Sequence, residues 1–567
     1  MTNAEVAEVL QEIGTLLEIK GENSFKCRAY FNAARTLETC PEDVAVLVRE
    51  ERLGELRGIG EALQEKITRL VVSGSLPYYE ELKASLPAGV LDLLKVPGLG
   101  PKKVGALYQE LGIDSLEKLA KACRNNTISS LAGFSEKGAA RILEGIAQLQ
   151  TYANQHRYVD ALAVAEDLVD TLRQHPLIAR VALAGSLRRG KEIIKDIDIV
   201  ASSRKPEQVM EDFVQLPEVQ KIVSQGPAKS SVIIGGIGCD LRVVSDREFA
   251  GALHHFTGSK EHNVALRQRA IAQGYKLSEY GLDADGKVTC PRSEEELFKL
   301  LGLDYIPPEL RENMGEIEAA ANHELPRLVE WTQLKGCFHN HTVASDGQNT
   351  LEEMADAAAS IGLEYLGIAD HSKSSVQANG LSAERLLAQV EEIRKINANR
   401  DDISLLAGLE CDILKDGSLD FEDDILSRLD YVVASVHSSF SLDEKTMTRR
   451  IIKAMENPHV TMIGHLTGRL LLRREAYQVN VGKIIDVAAK TGTWIELNAN
   501  PARLDMDWRH WRAAKDKGVK CVINPDAHAV NQLGYLKPAV QIARKGWLEA
   551  KDVINCLSLK DILKILG

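Results

Sequence analysis

The chain has 567 residues, 44% hydrophobic and 26% charged, with a formal net charge of −12. This is an ordinary globular composition with room for three or four cored domains, and its acidic balance leaves any nucleic-acid binding to local patches and metals. The N-terminus has no basic stretch leading into an apolar run, no run reaches membrane-spanning length, and the nine cysteines form no CxxC pair, so a cytoplasmic protein with buried thiols and no disulfide framework is expected.

Residues 1–150 read as short amphipathic helices joined by glycine turns, with no strand pattern. LRGIGEALQEKI (Leu56–Ile67) and VPGLGPKKVGALY (Val96–Tyr108) are alike, and LAGFSEKGAARI (Leu131–Ile142) is a degenerate third copy. Each is apolar-x-Gly-apolar-Gly before a helix, the helix-hairpin-helix signature. Glycine permits the tight turn, and the free amides opening the second helix hold a phosphate oxygen without reading a base. Gly58, Gly60, Gly98 and Gly100, with Lys102, are therefore candidate DNA contacts. Ser135 replaces the second glycine of the third copy, which weakens the case for a phosphate there. A plain αα-hairpin is the competing reading of any single copy.

From 151 to 245 the pattern becomes α/β. RVALAGS (Arg180–Ser186) reads as a strand entering a helix start, DIDIVAS (Asp196–Ser202) as the next strand, and SSVIIGGIGCDLRVV (Ser230–Val244) as a hairpin or strand pair carrying Asp240. Strand alternation puts Asp196 and Asp198 on one face and Ile197 and Ile199 on the other. Adjacent like charges repel unless a cation lies between them. The Gly185-Ser186 turn offers amides and a hydroxyl to a triphosphate, with Arg188, Arg189 and Lys191 adding positive charge. Three carboxylates beside such a turn make a two-Mg²⁺ site bridging a nucleotide's phosphates and an attacking hydroxyl.

These motifs, with CDLRVV, HFTGSKEHN (His255–Asn263) and ALRQRAIAQGYKLSEYGL, resemble the family X DNA polymerases, the group that includes polymerase beta, over roughly residues 1–320. The resemblance implies a helical lyase-like domain with the first hairpin (1–85), a fingers-like helical domain with the other two (86–150), a nucleotidyltransferase palm (151–245) and a thumb (246–320). It implies that Asp196 and Asp198 hold two Mg²⁺ or Mn²⁺ ions, while Asp240 binds the catalytic metal and accepts the primer hydroxyl's proton. Gly185, Ser186 and Arg189 would grip the triphosphate, Thr257-Gly258-Ser259 would lie against the incoming sugar, Asn263 would reach the base's minor-groove edge, and Arg267 would touch the template strand. His255 and Lys260 stand where the animal enzymes have tyrosine and aspartate, so sugar discrimination does not carry over. Lys66 falls where the animal repair enzymes place a Schiff-base lysine for 5′-deoxyribose-phosphate removal, although a second pocket lysine of that family falls here on Ala62 and only Lys26 matches nearby. A solvated or phosphate-binding lysine is the competing reading of Lys66. The implied partners are gapped or primed DNA and deoxynucleoside triphosphates, and a monomer is expected.

Residues 306–335 are polar and helical in character and read as a linker, with 321–335 the connecting stretch proper. Beyond them, apolar runs each end in a metal-type side chain: CFHNHTVASD, LGIADH, LLAGLE, YVVASVH, VTMIGH and CVINPDAH. Strands alternating with helices and presenting functional groups at their C-terminal ends point to a TIM-like, distorted β/α barrel over 336–567. Its mouth would gather His339, His341, Asp346, His371, Glu410, His437, His465, Asp526 and His528. Counting waters and shared carboxylates, these suffice for three metals at about four or five ligands each. Eight of the fourteen histidines follow residue 335 and six fall at strand ends, which a scatter of core histidines would not do; His459 and His510 fit no such position.

This set resembles the PHP (polymerase and histidinol phosphatase) domain, appended to many bacterial family X polymerases. The resemblance implies up to three Mn²⁺, Zn²⁺ or Fe²⁺ ions and removal of nucleotides from a DNA 3′ end, beside a polymerase that fills short gaps in base excision repair. Arg469 and Arg503, after the strand ends at His465 and Asn498, are candidates for the substrate phosphate, with surface arginines the competing reading. A small-molecule nucleotidyltransferase fused to a phosphatase would share the GS and DxD elements but has no use for tandem hairpins. A polymerase with a purely structural barrel would need lost ligands, and none is missing.

Overall fold

Val6, Leu10, Ile13 and Leu17 recur at helical spacing, and the helix Asn3–Ile19 turns that buried stripe onto Ser24–Glu38. Thr2 and Glu5 cap it reciprocally, each side chain bonding the other's amide. The structure is a computed structural model that describes residues 1–38, 40 and 42–567, and it divides into two units, Met1–Ala153 and Asn154–Gly567.

The first unit is helical throughout. A single apolar core runs from Val6 to Ile146, so all three hairpins share it. Gln109 donates to the Ile19 carbonyl at 2.8 Å, and the same carbonyl lies 2.6 Å from where a Cβ on Gly105 would sit, so the helix Pro101–Leu111 can approach the first helix this closely only with glycine there.

The second unit opens with a five-stranded sheet in the order Ile178–Leu183, Asp196–Ser203, Ile237–Val244, Lys229–Ile234, Val219–Ser224. Asp196–Ser203 runs antiparallel to the first strand and parallel to Ile237–Val244, in a register that sets Asp198 beside Asp240. Ile197 and Ile199 are buried beneath. The helices Phe249–Thr257 and Lys260–Ala272, a three-stranded meander and the helix Glu294–Leu300 follow. Glu294 ties this region to the palm through the Arg188 and Arg311 guanidiniums, each 2.5 Å away. Burial opposes the Glu294 charge, yet the two arginines hold it down at about 2.

Seven parallel strands, in sequence order, build the remainder: Gly336–Cys337, Tyr365–Ile368, Ser404–Asp412, Tyr431–Ser435, Met462–Ile463, Trp494–Asn498 and Cys521–Asn524. Their residues are almost all buried, as a sheet covered on both faces requires. The two end strands are drawn together by a bridge between Asn340 and Ala527, giving a nearly closed barrel one strand short of the usual eight. Asn555, fully buried, clasps that seam: its Oδ1 accepts from the Ile523 amide at 2.6 Å, and its Nδ2 donates to the Gly336 and Ile523 carbonyls at 2.8 and 2.7 Å.

The stretch before the barrel is less helical than its composition predicts. Pro307, Pro308 and Pro326 interrupt it, leaving one short helix, Glu316–Ala321, and single 3₁₀ turns. Residues 328–335 pack as a strap, with the Val329 amide on the Leu548 carbonyl at 2.9 Å and the Lys335 amide on that of Asn555 at 2.7 Å. Among the described residues no helix is long and apolar enough to cross a membrane, and the nine cysteines are free.

Asn555→Ala would strand three buried backbone groups at the seam. A loss of about 2–4 kcal/mol is expected, read as a lower denaturant midpoint for the barrel's transition; an unchanged midpoint would show that the seam closes without the clasp.

Candidate active centres

In the palm, Gly185 starts the short helix Gly185–Arg188 at φ +62°, and a Cβ there would lie 2.1 Å from Asp198 Oδ2. The Ala184 amide donates to the Asp198 carbonyl at 2.8 Å. The candidate anion turn therefore lies directly on the carboxylate strand, an approach open only to glycine. Burial, then the facing Asp196 and Asp240 carboxylates, push Asp198 up to about 7. Asp240 is paired with the Lys229 ammonium at 2.5 Å. A carboxyl group held between two further carboxylates is short of positive charge, and the all-oxygen donor set suits hard divalent cations.

Ser186 is half-buried in the turn. Arg189 is held at 10% side-chain exposure, its Nε 2.9 Å from Glu312 Oε1 and its Nη1 donating to the Thr257 carbonyl. Gly258 sits against the same guanidinium, and Ser259 caps the helix Lys260–Ala272. The Thr257–Ser259 turn and Arg189 thus lie side by side. Asn263 donates to the His255 carbonyl at 2.8 Å while its Oδ1 is buried without a hydrogen-bond partner, and Arg267 Nη2 lies 3.4 Å from His255 Nδ1. Phe256 stacks under the Arg242 guanidinium at 4.1 Å.

The hairpins of the first unit share one backbone turn, with φ of +86° at Gly58, +84° at Gly98 and +86° at Gly133. Gly60 and Gly100 are the N-caps of the helices Glu61–Ser73 and Pro101–Leu111; neither helix start has a side-chain cap, and a Cβ on either glycine would meet nothing within 4 Å. In the third copy Ser135 caps its own helix, accepting from the Gly138 amide at 3.1 Å, so one phosphate donor is already taken. Lys102 is exposed. Lys66 is half-exposed, bonded to the Ala62 carbonyl at 3.1 Å and lying over the Tyr78 ring; this is not the desolvated setting a Schiff-base lysine needs.

The barrel strands deliver all nine predicted ligands to one mouth. Three groups have ligand atoms mutually within 4.8 Å: His341, Asp346, His371 and His528; His339, His341 and Asp526; His371, Glu410 and His437. His465 joins through Glu410, 2.9 Å away. The His341 ring stacks on those of His528 and His371 at 4.2 and 4.5 Å. His339 Nε2, His341 Nδ1, His371 Nδ1, His465 Nδ1 and Glu410 Oε2 are all buried without a hydrogen bond. Orphaned ligand atoms in a crowd of imidazoles and carboxylates, with three groups of them within 4.8 Å of one another, fit divalent metals. Burial opposes charge on Glu410 and Asp526, yet the surrounding imidazoles hold both well below the usual carboxylate range. Burial likewise opposes protonation of His437 and His528, but Glu410 raises the first to about 10 and Asp346 the second to about 9. Burial and the neighbouring His528 push His341 down to about 4.

Four known domain families match this chain: a helix-hairpin-helix domain at residues 1–76, a SAM-like helix-hairpin-helix tandem at 90–148, the DNA polymerase beta thumb at 252–312 and the PHP domain at 338–500. The DNA polymerase/3′-5′ exonuclease PolX of Bacillus subtilis (strain 168) is 39% identical over 567 residues, covering 99% of each chain. The chain belongs to the PHP-containing family X DNA polymerases. DNA polymerase lambda of Rattus norvegicus is 25% identical to it over 346 residues, 55% of this chain and 56% of that protein. A probable phosphatase of Thermoanaerobacter sp. (strain X514) is 26% identical over 228 residues, 38% of this chain and 88% of that protein.

Sequence reasoning missed the groups that orient this family X polymerase's histidines. Glu496 Oε1 lies 2.7 Å from His339 Nδ1 and Asp412 Oδ1 lies 2.5 Å from His437 Nδ1, each turning the other ring nitrogen toward the shared space. Asp370 receives the Thr342 amide and the Thr342, Ser345 and Gln389 side chains, fixing the loop that carries Asp346. Asp412 was within reach: it shares a strand face with Glu410, as Asp198 does with Asp196. Of the two arginines, Arg469 is committed to Asp507 and to the carbonyls of Arg503 and Leu504, whereas among the described residues the Arg503 guanidinium has a single ion pair, with Asp526 at 3.3 Å.

Asp412→Asn should weaken Mn²⁺ binding at the barrel by about 10–100-fold in calorimetric titration, because His437 loses its charged partner; unchanged affinity would remove Asp412 from the site's support. In metal-free buffer, the raised Asp198 value means that its charge costs folded-state stability once pH exceeds the unfolded value, with the cost rising up to about pH 7. Asp198→Asn should accordingly raise the melting temperature at pH 8 by at least about 2 °C and give no gain near pH 4. A gain of equal size at both pH values would contradict it.

Proposed function

We propose that this chain is a DNA-directed DNA polymerase that fills short gaps during DNA repair and that its barrel shortens DNA 3′ ends. The observation that carries this reading is two separate metal-type centres on one chain: three palm carboxylates beside a glycine anion turn, and nine imidazole and carboxylate ligands at the barrel mouth. The working parts we assign are 1–85 and 86–150 for gripping DNA, 151–245 for chemistry, 246–320 for the nucleotide and template, and 336–567 for the nuclease, with 321–335 connecting.

In this reading the amides beside Gly58, Gly60, Gly98 and Gly100, with Lys102, hold the DNA backbone, so grip is independent of sequence. The Gly185-Ser186 turn and Arg189 hold the triphosphate, and the Thr257–Ser259 turn, Asn263 and Arg267 line the nucleotide and template beside His255. Asp196, Asp198 and Asp240 would hold two Mg²⁺ or Mn²⁺ ions; Asp240 accepts the proton of the primer 3′-hydroxyl as that oxygen attacks the α-phosphorus and pyrophosphate leaves. At the barrel mouth the three ligand groups would hold up to three Mn²⁺, Zn²⁺ or Fe²⁺ ions, and Arg503 is placed to receive the substrate phosphate. Divalent ions at both centres supply Lewis-acid stabilisation of phosphoryl charge and lower the pKa of the attacking hydroxyl or water. Glu496 and Asp412 keep His339 and His437 in one tautomer and orientation throughout. The compartment expected for such work is the cytoplasm.

The two centres should separate by mutation. Asp196→Ala with Asp198→Ala should cut gap filling by about a hundredfold or more while Mn²⁺-dependent shortening of a 3′ end persists, and His339→Ala with His341→Ala should do the reverse. Primer-extension and digestion assays on the same preparations read both; a folded histidine double variant that still digests 3′ ends at the wild-type rate would show that the barrel is not the nuclease.

A further inference from the structure

One buried cluster joins the barrel to the palm and thumb. The barrel helix Leu536–Lys545 ends in a lysine whose side chain is 0% exposed. Its ammonium lies 2.6 Å from Glu312 Oε1, donates to the Arg189 carbonyl at 3.0 Å and to the Glu309 carbonyl at 3.4 Å, and sits over the Trp508 ring. The same Glu312 oxygen takes Arg189 Nε. Lys545 thus holds Arg189 at both ends, directly at its carbonyl and through Glu312 at its guanidinium. Arg189 Nη1 is spent on the Thr257 carbonyl, and among the described residues its Nη2 has no hydrogen-bond partner. That free edge belongs to an arginine that caps the short helix Gly185–Arg188, whose first residue lies against Asp198.

An apolar side chain would dock the barrel here at lower cost, since burying an ammonium is unfavourable unless its partners are well placed. Of its three polar contacts, two set Arg189. We propose that Lys545 is a positioning residue for nucleotide addition: acting through Glu312 and the Arg189 carbonyl, it aims the free edge of Arg189 at the triphosphate, so the barrel completes the polymerase's nucleotide pocket. This rests on the reading of Arg189 as a triphosphate ligand.

The test is steady-state filling of a one-nucleotide gap by the full chain in Mg²⁺, with the deoxynucleoside triphosphate varied, for Lys545→Met, the isosteric Glu312→Gln, Arg189→Ala, and Lys545→Met combined with Arg189→Ala. Lys545→Met and Glu312→Gln should each raise KM by about tenfold with kcat within about threefold, and Lys545→Met should add nothing in the Arg189→Ala background. Exonucleolytic shortening, measured on the same preparations, should be unchanged. A loss of stability alone would lower kcat for both activities without that split. An unchanged KM in folded Lys545→Met, or losses that add in the double variant, overturns the relay while leaving Arg189 on the triphosphate. An unchanged KM in Arg189→Ala overturns the underlying assignment, and the relay with it. Should Lys545→Met fail to fold in a thermal-unfolding control, Glu312→Gln decides the relay by the same criterion.

Discussion

Five imidazoles lie within 4 Å of one carboxylate. Glu410 is 1% exposed, and His339, His341, His371, His437 and His465 approach it at 2.9 to 3.7 Å. A charge so far from water survives only if positive charge is supplied around it, and the barrel brings that supply from the ends of four other strands. The demand propagates outward. His339 and His437 need Glu496 and Asp412 to fix their rings, and Asp412 in turn takes the Ser374 and Ser375 hydroxyls. What looks like a cluster of ligands is a layered network in which Glu496 is as buried as the centre, while the Asp412 branch runs out to the exposed Ser374.

The palm meets the same constraint with fewer parts. Its carboxylates stand on two adjacent inner strands of the sheet, Asp196 is exposed, and one lysine pairs with Asp240. The close approach at Gly185 matters here: by laying backbone on Asp198 it removes water from that carboxylate and raises its proton affinity without adding a cation. The barrel site is therefore largely assembled by the protein, whereas the palm site leaves more of its charge balance to ions arriving with a nucleotide.

Much of this was legible because it is written in short-range periodicity. Two aspartates one residue apart in an apolar run, six runs each closing on a ligand, and three repeats of one glycine turn are patterns within a dozen residues. The residues that escaped are single polar side chains whose partners lie far off in sequence. Glu496 meets a histidine 157 residues earlier, Asn555 closes a seam with Gly336 219 residues earlier, and Lys545 reaches Arg189 across 356. No local pattern marks them, because each belongs to a surface that exists only after the strands are ordered. Composition misled once: polar residues before the barrel suggested helix, but its prolines and the strap's pairing with distant carbonyls decided otherwise. The setting of Lys66 was unreadable for a related reason, since a motif fixes a lysine's position but not its exposure to water.

The seam at Asn555 also orders events in time. A ribosome releases the whole palm sheet by Val244, but the strand that finishes the barrel, Cys521–Asn524, comes near the end, followed by Asp526, His528, Lys545 and Asn555. Until then six barrel strands form an open array with unpaired edges, the kind of surface that attracts other chains or a chaperone. The nascent protein thus carries a finished palm sheet well before it can own a metal cage. Any fragment stopping short of that last strand would keep the early histidines and have nothing to hold them in a ring.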